Sequence, residues 1–575
     1  MTAKQNPETN PWVDCTVDDA CAKNLAQAGS YPLWFARLLV NRGLNNHDAA
    51  ESWLNPKLAD LSDPFELPDM KVAVSRILQA IVHQERITIF GDYDVDGLTS
   101  VALLMDLFKA IGARVTPFLP HRLEEGYGLS MEALSRCIEE TTPQLIITVD
   151  CGTGSVDAVF KAKEKGVDVI ITDHHHTGEK LAPAMAVVNP RRLGDTRHHV
   201  LAGVGVAFKL AHALLKDARA DNRFSAWSMY DPRELLDLVA LGTVADIVPL
   251  KDENRIMVAY GLKKLNRTKR LGLKALIEVA RPKGEIGVYE VGFLLGPRLN
   301  ASGRLGTARM SLQLLTTSDP SEARKCAVEL DAANRQRQMV EREMVDAIML
   351  RIGETVGSRY AIVEADPDWH PGVVGIVASR LVQKYHRPAI VIGSDGQGRA
   401  KGSCRGVSGV HLVTALDGCA DILVKYGGHA MAAGIEIEWD RVDEFTSQFA
   451  ECVSRQLGGE LPQKSLSLDG WLEAEEFCED TVSWIEKLGP FGMGNPEPVW
   501  GCRGVKIVGE PREVGEGHLK TSFSLGRTII EAIGFGLYGK PLSRSELEVA
   551  FQIKQDTFRG QTKTVMHLKD FRELT

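Results

Sequence analysis

From residue 86 onward, short runs of β-branched residues alternate with segments of helical spacing, and nothing else in the chain narrows its fold as far. "RITIF" (86–90), "ARVTPFL" (113–119), "QLIITVD" (144–150) and "VDVIITD" (167–173) read as strands. Between them, "LTSVALLMDLFKAIG" (98–112), "SMEALSRCIEE" (130–140) and "SVDAVFKAKEKG" (155–166) read as helices. Apolar strands joined by helical crossovers predict a parallel sheet covered on both faces. Helical stretches follow at 203–216 and 233–248. The run 318–357, with Pro320 near its start and Gly357 at its end, predicts a helix on the order of 50 Å long. That is longer than one domain needs, so it reads as a connector. Segments 359–365, 372–385 and 388–394 predict a second α/β domain, and five short strands after residue 465 predict a small β-barrel. The expected divisions are a helical extension over 1–80, packed on a catalytic domain at 81–317, the connector at 318–357, the second domain at 358–458 and the barrel at 465–575.

Three of these four strands share a second property: they run into acid. "ITIF" leads to Asp92, Asp94 and Asp96, "LIITV" to Asp150, and "VIIT" to Asp173, His174, His175 and His176. In an open parallel sheet all the carboxyl ends lie along one edge, so these clusters are predicted to meet in space. Carboxylates gathered without a counter-charge repel and raise one another's pKa. Divalent cations remove the difficulty. An isolated strand-end Asp is more often a helix cap, but three acidic strand ends in one sheet are hard to explain as caps. "DYDVDG" also opens like an EF-hand loop, yet the twelfth position is Leu103 where calcium needs a bidentate Glu. Carboxylate and imidazole donors without an evident thiolate favour Mn²⁺ or Mg²⁺, and so many carboxylates favour two ions over one.

Composition sets outer bounds. A chain of 575 residues exceeds what one core usually supports. The ten cysteines are scattered with no C-x-x-C pair, which argues against a zinc site or a disulfide framework and for a reducing, cytoplasmic setting. No signal-peptide core or membrane-length apolar run is seen. Net charge is −9, which taken alone disfavours nucleic acid. Between Arg255 and Arg309, however, twelve Lys or Arg stand against three Glu. That stretch can face a polyanion or be an ordinary solvated surface. The barrel aromatics Phe523, Phe535, Tyr538 and Phe551 are expected in its core.

"DYDVDG" (92–97), "TVDCG" (148–152), "TDHHH" (172–176) and "TVADIVPL" (243–250) together resemble the DHH phosphoesterase superfamily. "GPRLNASGRLG" (296–306), "HPGVVGIVASRL" (370–381), "GSCRG" (402–406) and "GGHAMAAG" (427–434) resemble its bacterial RecJ branch. The resemblance implies a DHH domain, a DHH-associated second domain and a terminal OB-like barrel. It also implies metal ligation by Asp94, Asp96, Asp150, His174 and Asp246, with Asp150 bridging two cations. Asp92 is a ligand or orients one. His175 is placed at the scissile phosphate and Asp173 behind the histidines. Ser403 and Arg405 are placed at a 5′-phosphate, with Arg304, Arg122 and His429 as further substrate contacts. The implied activity is 5′→3′ hydrolysis of single-stranded DNA to 5′-mononucleotides, in recombination and repair. The implied partners are a single-stranded-DNA-binding protein and a helicase, and the implied state is a monomer. Two alternatives stand beside it: a hydrolase of short oligonucleotides or small nucleotides, and a non-catalytic DNA-binding scaffold.

Overall fold

The alternation that begins at residue 86 folds into five parallel strands, β1 (Ile87–Gly91), β2 (Val115–Phe118), β3 (Leu145–Val149), β4 (Asp168–Thr172) and β5 (Ala186–Val188). The computed structural model describes residues 11–574 except 122–124, 127, 179, 195–197, 220, 354–355, 395–398, 478, 527 and 559–560. The spatial order is β2-β1-β3-β4-β5. Every residue of β1 and β3 is buried, as a sheet covered on both faces requires. Register puts Gly91 opposite Val149 and Val149 opposite Thr172, so three strand ends are level. Asp92, Asp150 and Asp173 therefore leave the sheet side by side. The strand order turns back between β1 and β3, the place at which open parallel sheets bind ligands.

Helix α1 (Met70–Val82) covers β5, while α2 (Val95–Lys109) packs on α5 (Gly203–Ala218) and α6 (Leu236–Ala245); α3 (Met131–Thr141) and α4 (Val156–Glu164) form the intervening crossovers. α2 starts three residues before the predicted 98, because Asp94 caps it by accepting from the Gly97 amide at 3.1 Å. Asp96 thus lies inside the first helical turn. The predicted helix 233–248 is instead a 3₁₀ turn, Pro232–Leu235, followed by α6. α6 ends at Ala245, just before Ile247 turns to φ +60°.

α7 (Leu271–Ala280) and α8 (Gly296–Leu305) pack against the connector α9 (Pro320–Ile352). Asp319 caps α9 through the Ser321 amide at 2.8 Å. Its 33 residues stop at Gly353, whose φ of +82° only glycine adopts readily, and not at the predicted Gly357. The second domain has strands β6 (Ile362–Ala365), β7 (Ala389–Ser394), β8 (Arg399–Arg405), β9 (Lys425–Gly428) and β10 (Ala432–Glu438), ordered β9-β10-β8-β7-β6, with helix α10 (Val374–Tyr385) across β7 and β8. It shares one structural unit, residues 64–246 and 261–464, with the catalytic sheet.

The other unit comprises residues up to 63, 247–260 and 465 onward. Strands β11 (Trp500–Val514), β12 (His518–Leu525), β13 (Thr528–Gly534), β14 (Leu547–Phe558) and β15 (Gln561–Glu573) form a barrel, closed by the β11–β14 pairing. Phe523 and Phe551 lie in its core, but Phe535 and Tyr538 are 56% and 46% exposed, against expectation. The N-terminal extension also departs from its predicted place. Its α1 packs on the catalytic sheet, whereas residues 11–63 share the barrel's core. Trp12–Asp14 pairs with Leu466–Leu468, and Trp34 meets Trp500 edge-on at 5.5 Å. The cause lies in "LWFARLLVN" (33–41), whose Trp34, Phe35, Leu38 and Leu39 make an apolar face that the barrel core completes.

Candidate metal centre

At the shared sheet edge, His174 Nε2 lies 3.1 Å from Asp150 Oδ1, 3.5 Å from Asp246 Oδ2 and 3.8 Å from Asp96 Oδ2. Two donor groups follow, Asp150–His174–His175 and Asp96–His174–Asp246, each with its ligand atoms within 4.8 Å of one another. Asp92 is fully buried and Asp94 half-buried, and both stand outside these groups. The charges of both raise the pKa of Asp150.

Backbone geometry brings the carboxylates together. Asp150 turns to φ +61°, a left-handed conformation that Asp tolerates better than most residues. Asp96 accepts from the Gly203 amide at 2.6 Å and the Val204 amide at 2.8 Å, at the positive end of α5. Gly203 has to be glycine for this approach, since a Cβ there would lie 2.6 Å from Asp150 Oδ1.

Electrostatics show what the cluster lacks. Burial, then the charge of Asp94, pushes Asp96 up to about 7. Burial, then Asp96, pushes Asp246 up to about 9. Asp150 is raised well above the carboxylate range by burial and then by Asp96, Asp94, Asp246 and Asp92. Burial holds His174 down to about 3, so its ring is neutral. His174 Nε2 and Asp246 Oδ2 are both buried without a hydrogen bond among the described residues. Anionic oxygens and an imidazole lone pair converging on one point repel each other and invite a cation. The donors, oxygen and nitrogen with no thiolate, fit Mn²⁺ or Mg²⁺.

His175 is placed differently. Its Nδ1 meets Asp173 Oδ1 at 2.8 Å, and its side chain is 39% exposed. Burial pulls its pKa down, but the hydrogen bond and charge of Asp173 outweigh this and leave it raised. Asp173 also accepts from the amides of Thr153, His174 and His175 at 3.0, 2.7 and 3.1 Å. Burial alone would raise Asp173, but these bonds and the histidines leave it lowered. Sequence reading passed over two residues of "NPRR". The Asn189 amide donates to the His175 carbonyl at 2.9 Å, and Arg191 Nε to the His174 carbonyl at 2.5 Å. Their signal was a polar pair directly after the apolar strand β5.

The second domain supplies the remaining candidates. Arg405 Nη1 donates to Ser403 Oγ at 2.9 Å. The first turn of α10 abuts both, since a Cβ on Gly375 would come 2.9 Å from Ser403 Oγ and 3.1 Å from Arg405 Nη2. Arg304 Nη1 reaches the Gly372 carbonyl at 3.3 Å, and the exposed His429 ring lies 5.1 Å from His176. Arg122 lies outside the described residues. The basic stretch is not uniformly solvated. Arg255 is buried against the carbonyls of Trp53, Leu488 and Gly489, and Lys264, Arg270, Arg298 and Arg309 each pair with acids.

A doubly covered parallel sheet whose edge gathers Asp96, Asp150, Asp246 and a histidine pair behind Asp173 defines a phosphoesterase of the DHH class. Residues 86–243 match the DHH family N-terminal domain, 357–455 the DHHA1 domain and 468–570 the RecJ OB domain. The chain is 40% identical to the single-stranded-DNA-specific exonuclease RecJ of Bacillus subtilis, over 93% of this chain and 67% of that protein. It is 37% identical to the protein of the same name from Escherichia coli, over 92% of this chain and 94% of that one. Its structure superposes on RecJ of Thermus thermophilus in complex with Mn²⁺ with a TM-score of 0.84 and 31% identity, covering 98% of this chain and 80% of that one. The chain belongs to the RecJ family.

Proposed function

We propose that this protein is a metal-dependent exonuclease that degrades single-stranded DNA from the 5′ end to 5′-mononucleotides, in DNA recombination and repair. The observation that carries this reading is the convergence of Asp96, Asp150, His174 and Asp246 at one sheet edge, in a chain of the RecJ family. Asp94, Asp96, Asp150, His174 and Asp246 would hold two divalent cations, Mn²⁺ or Mg²⁺, with Asp92 orienting or completing the set. When bound, the cations supply Lewis acidity to the attacking water and to the phosphate.

The chain's own residues do the rest. Asp173 fixes the ring of His175 with Nδ1 as donor, which leaves Nε2 to address the scissile phosphate. Held in this way, the half-exposed ring of His175 meets phosphate oxygens as their charge develops. Ser403 and Arg405, beside the amino end of α10, bind the terminal 5′-phosphate. Arg304, Arg122 and His429 hold the adjoining strand. The terminal barrel, an OB domain, binds single strands, which favours a polymeric substrate over a small nucleotide. A single-stranded-DNA-binding protein and a helicase act as partners of a cytoplasmic monomer. Among the described residues no helix is long and apolar enough to cross a membrane.

With Mn²⁺, 5′-labelled single strands are expected to release labelled mononucleotide at once, and 3′-labelled strands only at the end. Double strands should resist. Asp150→Ala should lower the rate by at least about 10²–10³-fold. An unchanged rate in that variant, or release beginning at the 3′ end, refutes the reading.

A further inference from the structure

Histidines that bind metals are usually aimed by a hydrogen bond on the ring nitrogen facing away from the metal. His175 has such a partner in Asp173. His174 has none among the described residues. Its Nε2 faces the acids, and its Nδ1 faces the Leu201 backbone without a hydrogen bond. The aim of this ring therefore depends on packing and on the peptide that carries it.

That peptide is gripped by the segment after β5. Asn189 caps the 3₁₀ turn Pro190–Leu193 by accepting from the Arg191 amide at 2.9 Å. Its side-chain amide donates to Thr153 Oγ1 and to the His175 carbonyl, each at 2.9 Å. Arg191 Nε donates to the His174 carbonyl at 2.5 Å. Two consecutive carbonyls of the histidine loop are thus held by residues 189 and 191.

An arginine side chain is long, and holding it in one place costs rotamer entropy. Here its far end is stopped. Arg191 Nη1 donates to His199 Nε2 at 2.9 Å, and His199 Nδ1 meets the Gly194 carbonyl at 3.1 Å. A guanidinium only donates and a carbonyl only accepts, so His199 turns its Nε2 lone pair to Arg191 and keeps its proton on Nδ1. Gly194 supplies that carbonyl from the end of the 3₁₀ turn, at a φ of +75° that favours glycine. His176 Nε2 also approaches Nη1, but at 3.4 Å it is the weaker partner.

We infer that His199 and Arg191 are positioning residues for the metal centre. His199 fixes the guanidinium, and the guanidinium fixes the His174 carbonyl and with it the direction of His174 Nε2. The inference rests on the metal-centre reading given above. A direct contact from Arg191 to a substrate phosphate is the rival use, and it is disfavoured because Nε and Nη1 are already committed to His174 and His199.

Calorimetric titration of the full-length protein with Mn²⁺, in the absence of DNA, tests it. Arg191→Met should weaken Mn²⁺ binding about 10–100-fold, and His199→Leu about tenfold. His199→Gln, whose side-chain oxygen can accept from Arg191, should bring affinity back to within about threefold of the wild type. Arg191→Met combined with His199→Leu should bind no more weakly than Arg191→Met alone, because the two residues act in one line. Binding of a 5′-phosphorylated dT20, followed by fluorescence anisotropy without metal, should be the same for Arg191→Met and the wild type. Unchanged Mn²⁺ affinity in both single variants overturns the inference. A His199→Gln protein as weak as His199→Leu also overturns it and makes His199 a packing residue. A loss of metal-free dT20 affinity in Arg191→Met overturns it in favour of a substrate contact. If the wild type binds Mn²⁺ but leaves dT20 intact, the exonuclease reading fails and the titrations still decide the positioning role.

Discussion

At Asp96 two demands oppose each other: the Gly203 and Val204 amides favour a carboxylate, while burial and Asp94 favour the neutral acid. The acid wins to about 7, and Asp246 follows at about 9, against an unfolded value of about 3.9. A carboxyl with a raised folded pKa holds its proton more tightly when folded. The metal-free chain therefore loses stability from these groups as pH climbs from about 4 through 7 to 9. Cations that replace the protons reverse that loss. The rise in Tm on adding Mn²⁺ is thus expected to be larger at pH 8.5 than at pH 6, which paired melting curves with and without Mn²⁺ will measure. An equal rise at both values would separate the carboxylates from the metal. At this scale the sequence announced which side chains carry charge but not their surroundings. Asp150 and Asp173 both end strands and both are buried, yet burial and then neighbouring acids raise the first, while hydrogen-bond donors and the histidines outweigh burial and lower the second.

Elements place these residues, and small changes in where an element begins or ends have large effects. α2 was legible from its apolar run, but its first turn was not, because "DVDG" reads as a loop until Asp94 is seen to cap it. Asp246 was hidden in the apolar run of α6 and entered only through resemblance; the left-handed Ile247 that follows it has no signature in a single sequence. Gly203 opens a helical stretch and carries no further mark in the sequence, though it lets α5 approach Asp150. Gly203→Ala is accordingly expected to cost about 1–3 kcal/mol of stability and to weaken Mn²⁺ binding. Urea unfolding and calorimetric titration will measure both. An alanine variant that binds Mn²⁺ like the wild type would show that the carboxylates can move aside.

For the whole molecule, domain order was legible and domain association was not. Strand and helix periods repeat locally, so the sheet, connector, second domain and barrel could be read in order. The partner of the N-terminal helices could not, because an apolar face such as Trp34–Leu39 shows only that something must cover it. Trp34→Ala should cost about 3–5 kcal/mol in the unit that holds the barrel. Mn²⁺ affinity, set by residues of the other unit, should be unchanged. Unfolding followed by tryptophan fluorescence, alongside Mn²⁺ titration of the native variant, will measure the two effects.

By itself the sequence determined the parallel sheet and the acids at its strand ends, because apolar period and residue type are local properties of the chain. Only the tertiary structure decided which acids meet around His174, which helix lends them its amides and which core receives the N-terminal segment. Those outcomes depend on contacts between residues far apart in the chain, and such contacts leave no periodic mark in one sequence.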